Sequence, residues 1–171
     1  MIVYYLDASA WVKRYYQEVG TTWVQNLFAQ NQTIASASLG LIEVIATLAR
    51  KEKGREIDSS MLEQKRQELE SDWERFIQIH MTVEVVHIAK TVAKELALRG
   101  ADAVHLASAF VLRSRLAEED DQLTLVVSDR ELKAAAQSSG LATIDPEEQE
   151  APASHQAEAD EQNKQPPDRE G

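Results

Sequence analysis

The chain has 171 residues, of which 43% are hydrophobic and 27% charged, and its 18 basic and 29 acidic residues give a formal net charge of −11. At about 100 to 200 residues per domain this length predicts one domain, which can bury a core without disulfides. The absence of cysteine excludes a thiolate zinc site, an iron–sulfur cluster and a catalytic thiol. The negative charge argues against a broad basic face for nucleic acid, but not against a nuclease that binds phosphates through a divalent metal.

Short apolar runs alternate with segments of helical periodicity over residues 1–145. The predicted strands are 2–6, 33–37, 82–86, 123–127 and 141–144. The predicted helices are 9–17, 22–30, 38–53, 58–78, 87–99, 101–116 and 130–138. Strands that alternate with helices pair in parallel. The predicted fold class is therefore α/β, a three-layer α/β/α sandwich around a central parallel sheet.

The last part of the chain has a different composition. Residues 146–171 contain all four prolines, eight acidic and two basic residues, and no Leu, Ile, Val, Phe, Tyr or Trp. Such a segment cannot bury enough apolar surface to offset the entropy lost on ordering. We therefore predict one folded domain at 1–145 and a disordered acidic tail at 146–171.

The beginning of the chain does not resemble a targeting segment. The opening MIVYYLDASAW lacks the basic start and long apolar region of a signal peptide, and no window approaches about 18 apolar residues. We therefore expect a cytoplasmic protein with no membrane association.

Four acidic residues lie in apolar surroundings. Asp7 directly follows the first predicted strand, and Asp129 follows the fourth with one serine between them. Ligands of open α/β sheets bind at the carboxyl ends of the strands, so both acids point to one edge of the sheet. Glu43 lies within an otherwise apolar helix face, and Asp102 opens the predicted helix ADAVHLASAF.

Each of these acids also has a structural interpretation. Asp102 could cap a helix, Asp7 and Asp129 could begin loops, and Glu43 could pair with an arginine. Convergence of all four is better explained by a hard divalent cation, Mg²⁺ or Mn²⁺, because these ions prefer carboxylate oxygens. Two such ions about 4 Å apart could activate water and stabilise an in-line displacement at phosphorus.

Several neighbouring residues could support these acids. His105 shares a helix face with Asp102, which favours packing or support of a ligand over direct ligation. Ser9 and Ser128 could bond a carboxylate or a metal-bound water, although capping and turn formation are the simpler interpretation of each. Basic residues at helix ends could guide an RNA backbone or could simply be solvated: Lys13, Arg14, Arg50, Lys51, Lys53 and Arg55.

Four segments in order carry a family pattern: IVYYLDASAWVKRYYQEVG, IASASLGLIEVIATLARK, LRGADAVHLASAF and LVVSDRELKAAAQSSGLATIDP. Together they resemble PIN-domain proteins, most closely the VapC-type toxin ribonucleases of VapBC toxin–antitoxin pairs. The resemblance spans residues 1 to about 146 and implies a PIN-like fold with a Mg²⁺- or Mn²⁺-dependent endoribonuclease site for single-stranded RNA. In that family the acids matching Asp7, Glu43, Asp102 and Asp129 hold the metal and orient the attacking water.

The same resemblance implies a cognate antitoxin protein as partner and a homodimer. Two other functions remain open: a non-catalytic PIN-like module whose carboxylates bind a partner's basic residues, and a housekeeping RNA-processing nuclease. A phosphatase with an aspartyl nucleophile is disfavoured, because it would carry a second Asp where this chain has Ser9. The sequence also lacks the glycine motifs of P-loop and dinucleotide-binding sites.

Overall fold

A computed structural model of the chain describes residues 1–117 and 121–150. In these ranges the strands are β1 Ile2–Leu6, β2 Thr33–Ala37, β3 Ile77–Ile79, β4 Gln122–Val126 and β5 Ala142–Ile144. The helices are α1 Ala8–Trp11, α2 Thr21–Ala29, α3 Ser38–Lys53, α4 Ser59–Trp73, α5 Val83–Leu96, α6 Gly100–Ala117, α7 Arg130–Ser138 and α8 Pro146–Glu150. None of these helices is both long enough and apolar enough to cross a membrane.

The five strands form one parallel sheet in the order β3-β2-β1-β4-β5. Alternate side chains of β1 point to opposite faces. Val3 and Tyr5 pack with α5, α6 and α7, whereas Tyr4 and Leu6 pack with α1, α2, α3 and α4. Because both faces are covered, β1 and β4 are nearly continuous apolar runs. The predicted three-layer sandwich around a parallel sheet is confirmed.

The predicted third strand, 82–86, is wrong. The strand is Ile77–Ile79, and Thr82 instead caps α5 by accepting a hydrogen bond from the Val85 N–H at 3.3 Å. The β-branched valines of this segment suggested a strand, but the buried positions Val85, Ala89 and Val92 have helical spacing. Two predicted helices end earlier than expected. The helix predicted over 58–78 ends at Trp73, and the helix predicted over 9–17 ends at Trp11 and is followed by a 3₁₀ turn, Val12–Arg14.

The described fold continues past the predicted domain boundary before residue 146, since Pro146 is buried and begins α8. The Glu150 carboxylate accepts hydrogen bonds from the backbone N–H groups of Gly20, at 2.7 Å, and Trp23, at 2.5 Å, at the start of α2. The Glu147 carboxylate pairs with the Lys13 ammonium at 2.8 Å. Charged hydrogen bonds therefore hold a segment that lacks large apolar side chains. The predicted disorder of 151–171 concerns residues outside the described ranges and stays a prediction.

Candidate active site

Asp7 lies at the carboxyl end of the central strand. Its carboxylate caps α1 by accepting hydrogen bonds from the backbone N–H groups of Ser9, at 3.2 Å, and Ala10, at 3.1 Å. The Ser9 hydroxyl donates a third hydrogen bond to the same carboxylate at 2.8 Å. The short turn from β1 into α1 therefore fixes this acid at the edge of the sheet.

Ser9 also connects Asp7 to the loop that follows β4. Its Oγ accepts hydrogen bonds from the backbone N–H of Ser128, at 2.9 Å, and of Asp129, at 3.1 Å. The ends of two neighbouring parallel strands are thus joined through one hydroxyl. The Ser128 hydroxyl points elsewhere and donates to Asp145 at 3.1 Å. The edge of the sheet near Asp7, Glu43, Asp102 and Asp129 is the acidic edge of the protein. Ser128 contacts this edge through its backbone alone.

The Asp7 carboxylate is 4% exposed and forms no ion pair in the described part of the chain. Burial raises the pKa of Asp7 to about 6, and this rise is opposed by the nearby His105 and by the hydrogen bonds from Ser9 and Ala10. A buried carboxylate without a counter-ion is stabilised by any cation that reaches it.

Glu43 is held by a chain of buried side chains behind it. The His105 Nε2 lies 2.7 Å from Glu43 Oε2, and the Tyr5 hydroxyl lies 3.0 Å from His105 Nδ1. Burial raises the pKa of Tyr5, so the phenol stays protonated. The Glu43 carboxylate can only accept, so we assign the Nε2–H of His105 as its donor. The second oxygen of the Glu43 carboxylate has no hydrogen-bond partner among the described residues.

Gly40 allows this chain to pack against α3. A Cβ at Gly40 would lie 2.8 Å from Ser36 Oγ and 3.2 Å from His105 Cε1. Both distances are shorter than ordinary van der Waals contact, so a larger residue would push against the Ser36 hydroxyl and against the imidazole that positions Glu43.

Asp102 and Asp129 are joined by an arginine that the sequence analysis did not identify. Arg99 Nε lies 2.8 Å from Asp102 Oδ2, and its terminal nitrogen lies 2.7 Å from Asp129 Oδ2. The spacing of three residues in LRGAD indicates the first contact. The second contact joins residues 30 positions apart and depends on the fold.

The PIN domain profile matches residues 4–138 of the chain. The chain belongs to the PIN-domain family. It is 35% identical over 150 residues to Ribonuclease VapC45 and to Ribonuclease VapC49 of two Mycobacterium tuberculosis strains, CDC 1551 / Oshkosh and ATCC 25618 / H37Rv. Each alignment covers 85% of this chain and 100% of the relative.

Solved structures show the same fold. PAE2754 from Pyrobaculum aerophilum superposes with a TM-score of 0.59 at 21% sequence identity. The alignment covers 87% of this chain and 95% of the PAE2754 chain. A chain of VapBC2 from Rickettsia felis, solved bound to a DNA fragment from its promoter, superposes with a TM-score of 0.55 at 20% sequence identity. The alignment covers 84% of this chain and 98% of the VapBC2 chain.

The acidic edge of this PIN-domain protein has the donor chemistry of a divalent-metal site but not a closed ligand set. Within 1–117 and 121–150, no three His, Cys, Asp or Glu side chains are close enough to share a metal ion. The Asp102 and Asp129 carboxylates form ion pairs with Arg99, and the Glu43 carboxylate forms a hydrogen bond with His105. The Arg99 guanidinium is nevertheless a cation bound by two of the four predicted acids, and carboxylate oxygens are the ligands that Mg²⁺ and Mn²⁺ prefer.

A groove of about 580 Å³ opens beside these acids and is lined by Ser9, Glu43 and Asp129 among others. Of the basic residues that the sequence singled out, Arg50 lines the groove. Lys13 also borders it, but its side chain is 3% exposed and paired with Glu18 and Glu147. Arg14 pairs with Asp72, and Lys51 with Glu56.

Proposed function

We propose that this PIN-domain protein is a metal-dependent endoribonuclease that cleaves single-stranded RNA as the toxin of a type II toxin–antitoxin pair. The observation that carries the proposal is the buried Asp7 carboxylate, which lies at the sheet edge beside Asp129 and has no counter-ion among residues 1–117 and 121–150. Relatives named as ribonucleases align along their whole length with 85% of this chain, which supports the same chemistry.

Asp7 and Asp102 would hold Mg²⁺ or Mn²⁺, with Glu43 and Asp129 in support. When bound, such an ion lowers the pKa of a coordinated water and neutralises charge on a phosphate. Ser9 fixes the Asp7 oxygens and aligns the loop carrying Asp129.

Glu43 would orient the attacking water. His105 holds Oε2 of this carboxylate, so the other oxygen is available to accept a hydrogen bond from water in the groove. Since the imidazole is buried and itself bonded to Tyr5, the Glu43 carboxylate is held in one position before RNA binds.

A cognate antitoxin is the proposed protein partner. The Arg99 contacts demonstrate that a guanidinium group fits between Asp102 and Asp129. A basic side chain of an antitoxin would be attracted to the same acidic edge and would compete with metal and RNA for it.

The test is cleavage of a labelled single-stranded RNA by purified protein with Mg²⁺, with Mn²⁺ and with a chelator. We expect cleavage with either metal, none with chelator, and none for Asp7→Asn. The matched control is Asp58→Asn, which removes the same charge at the exposed cap of α4 and retains capping ability. Cleavage that persists in chelator, or that is absent from the wild type under all conditions, contradicts the proposal.

A further inference from the structure

Arg99 covers two of the four acids from the solvent side. Its side chain is 65% exposed, whereas the side chains of Asp102 and Asp129 are 11% and 28% exposed. A ligand that approaches these two carboxylates from solvent therefore encounters the guanidinium first. In the described part of the chain, Arg99 is the one arginine or lysine within ion-pair distance of any of the four predicted acids.

A divalent cation and Arg99 would compete for the same oxygens. Asp102 Oδ2 and Asp129 Oδ2 both accept from the guanidinium, and these are atoms that a metal ligated by either carboxylate could use. Arg99 belongs to the short connection between α5 and α6. Its long, exposed side chain can therefore leave the carboxylates without unfolding a helix.

The released guanidinium would lie beside the path of the substrate. A surface depression of about 340 Å³ is lined by Arg99, Ser128 and Asp129 among others, and the last two also line the groove that contains Glu43. The two concavities therefore share Ser128 and Asp129 as a common border. The planar fork of arginine binds two phosphate oxygens at once, as it binds two carboxylates here.

We propose that Arg99 is a phosphate-binding residue of the site, and that in the metal-free protein it serves as the internal counter-ion of Asp102 and Asp129. With metal bound to these carboxylates, Arg99 would leave them and bind a phosphate of the RNA backbone. This inference rests on the proposed ribonuclease function and adds to it a residue that couples metal occupancy to RNA binding.

The first arm of the test measures Mn²⁺ binding alone, by the rise of the unfolding temperature during a Mn²⁺ titration. Arg99→Gln removes the competing cation, and because ion pairs of an exposed arginine are weak we expect a modest effect, about fivefold tighter Mn²⁺ binding. Arg99→Lys loses the fork and should also bind Mn²⁺ more tightly. The control is Arg115→Gln: Arg115 lies on α6, about 24 Å along the helix, is 60% exposed, and carries the same charge.

The second arm measures RNA binding at several salt concentrations with Mn²⁺ present. Every protein in this arm carries Glu43→Gln, so that RNA is not consumed during the titration. One lost phosphate contact lowers the slope of log affinity against log salt by about 0.7 for a single strand. We expect this decrease for Arg99→Gln, a slope close to the parent for Arg99→Lys, and no change for Arg115→Gln.

Tighter Mn²⁺ binding together with the smaller salt slope supports the proposal. An unchanged salt slope for Arg99→Gln, in a parent that binds RNA, overturns the phosphate role. Unchanged Mn²⁺ binding overturns the counter-ion role. A parent that binds no RNA at any salt concentration refutes the ribonuclease function itself, and this result differs from a failure confined to Arg99.

Discussion

Deletion of α8 tests whether the acidic C-terminal segment is part of the folded domain. We compare a chain that ends at Asp145 with one that ends at Glu150, so that the two proteins differ only in Pro146–Glu150. The shorter chain loses the Glu150 carboxylate that caps α2, where Gly20 supplies no side-chain cap of its own. Loss of a side-chain N-cap costs about 1 kcal/mol.

The same deletion removes Glu147 from Lys13. The Lys13 side chain is 3% exposed, and in the described residues its ammonium forms ion pairs with Glu18 and Glu147. After the deletion this nearly buried ammonium keeps Glu18 and loses Glu147. Adding the loss of the buried Pro146, we expect a total destabilisation of about 2 to 3 kcal/mol. At about 2 to 4 °C per kcal/mol for a domain of this size, the unfolding temperature falls by about 4 to 12 °C.

The assay is thermal and urea unfolding of both truncated chains, with Glu150→Ala and Gln149→Ala in the full chain as a matched pair. Gln149 is exposed and its side chain forms no hydrogen bond in the described residues. Glu150→Ala should reproduce about 1 kcal/mol of the loss, and Gln149→Ala should not. Equal stability of the two truncated chains would refute the assignment of α8 to the domain.

Three further predictions concern the site. Gly40→Ala should displace His105 and lower cleavage about tenfold or more. Gly100→Ala is the control, because beyond its chain neighbours and its own helix backbone no atom lies within 4 Å of the added Cβ, and it should leave the cleavage rate unchanged without lowering the unfolding temperature. Tyr5→Phe removes the partner of His105 Nδ1 and should lower cleavage while leaving Mn²⁺ binding, measured by thermal shift, close to wild type. Burial raises the pKa of Asp7 from an ordinary 3.8 to about 6 in the folded protein, so between these pH values the folded protein binds more protons than the unfolded chain. The metal-free protein should therefore lose about 3 kcal/mol of stability as the pH rises from 3.8 to 6. Urea unfolding across this range should show that loss in the wild type and not in Asp7→Asn; an equal slope in both would contradict the pKa assigned to Asp7.

The sheet and its edge could be predicted because they depend on local patterns. The apolar runs at β1 and β4 are typical of strands covered on both faces, and the acids that follow them must share an edge if the strands are parallel. The third strand could not be found in the same way. Three residues of β3 carry little pattern. The valines near Thr82 match a strand locally, but they lie in a helix whose buried residues, Val85, Ala89 and Val92, have helical spacing.

The features that were not predicted depend on contacts between distant parts of the chain. Glu150 caps a helix that begins 129 residues earlier, and no local pattern of α8 indicates that contact. Arg99 reaches Asp129 only after α6 and β4 are packed together. The pairing of His105 with Glu43 likewise joins α6 to α3, although the position of His105 on the Asp102 face already suggested a supporting role.

The central claim is that metal at the acidic edge acts on the phosphate of a single-stranded RNA. The most direct measurement is single-turnover cleavage of an RNA in which sulfur replaces a non-bridging oxygen of the phosphates, compared with the unmodified RNA in Mg²⁺ and in Mn²⁺. Mg²⁺ prefers oxygen to sulfur, whereas the softer Mn²⁺ accepts both. We predict that sulfur slows cleavage in Mg²⁺, that Mn²⁺ restores the rate, and that Asp102→Asn cleaves neither RNA. A sulfur effect that is absent in Mg²⁺, or that is the same in Mn²⁺, would contradict the claim.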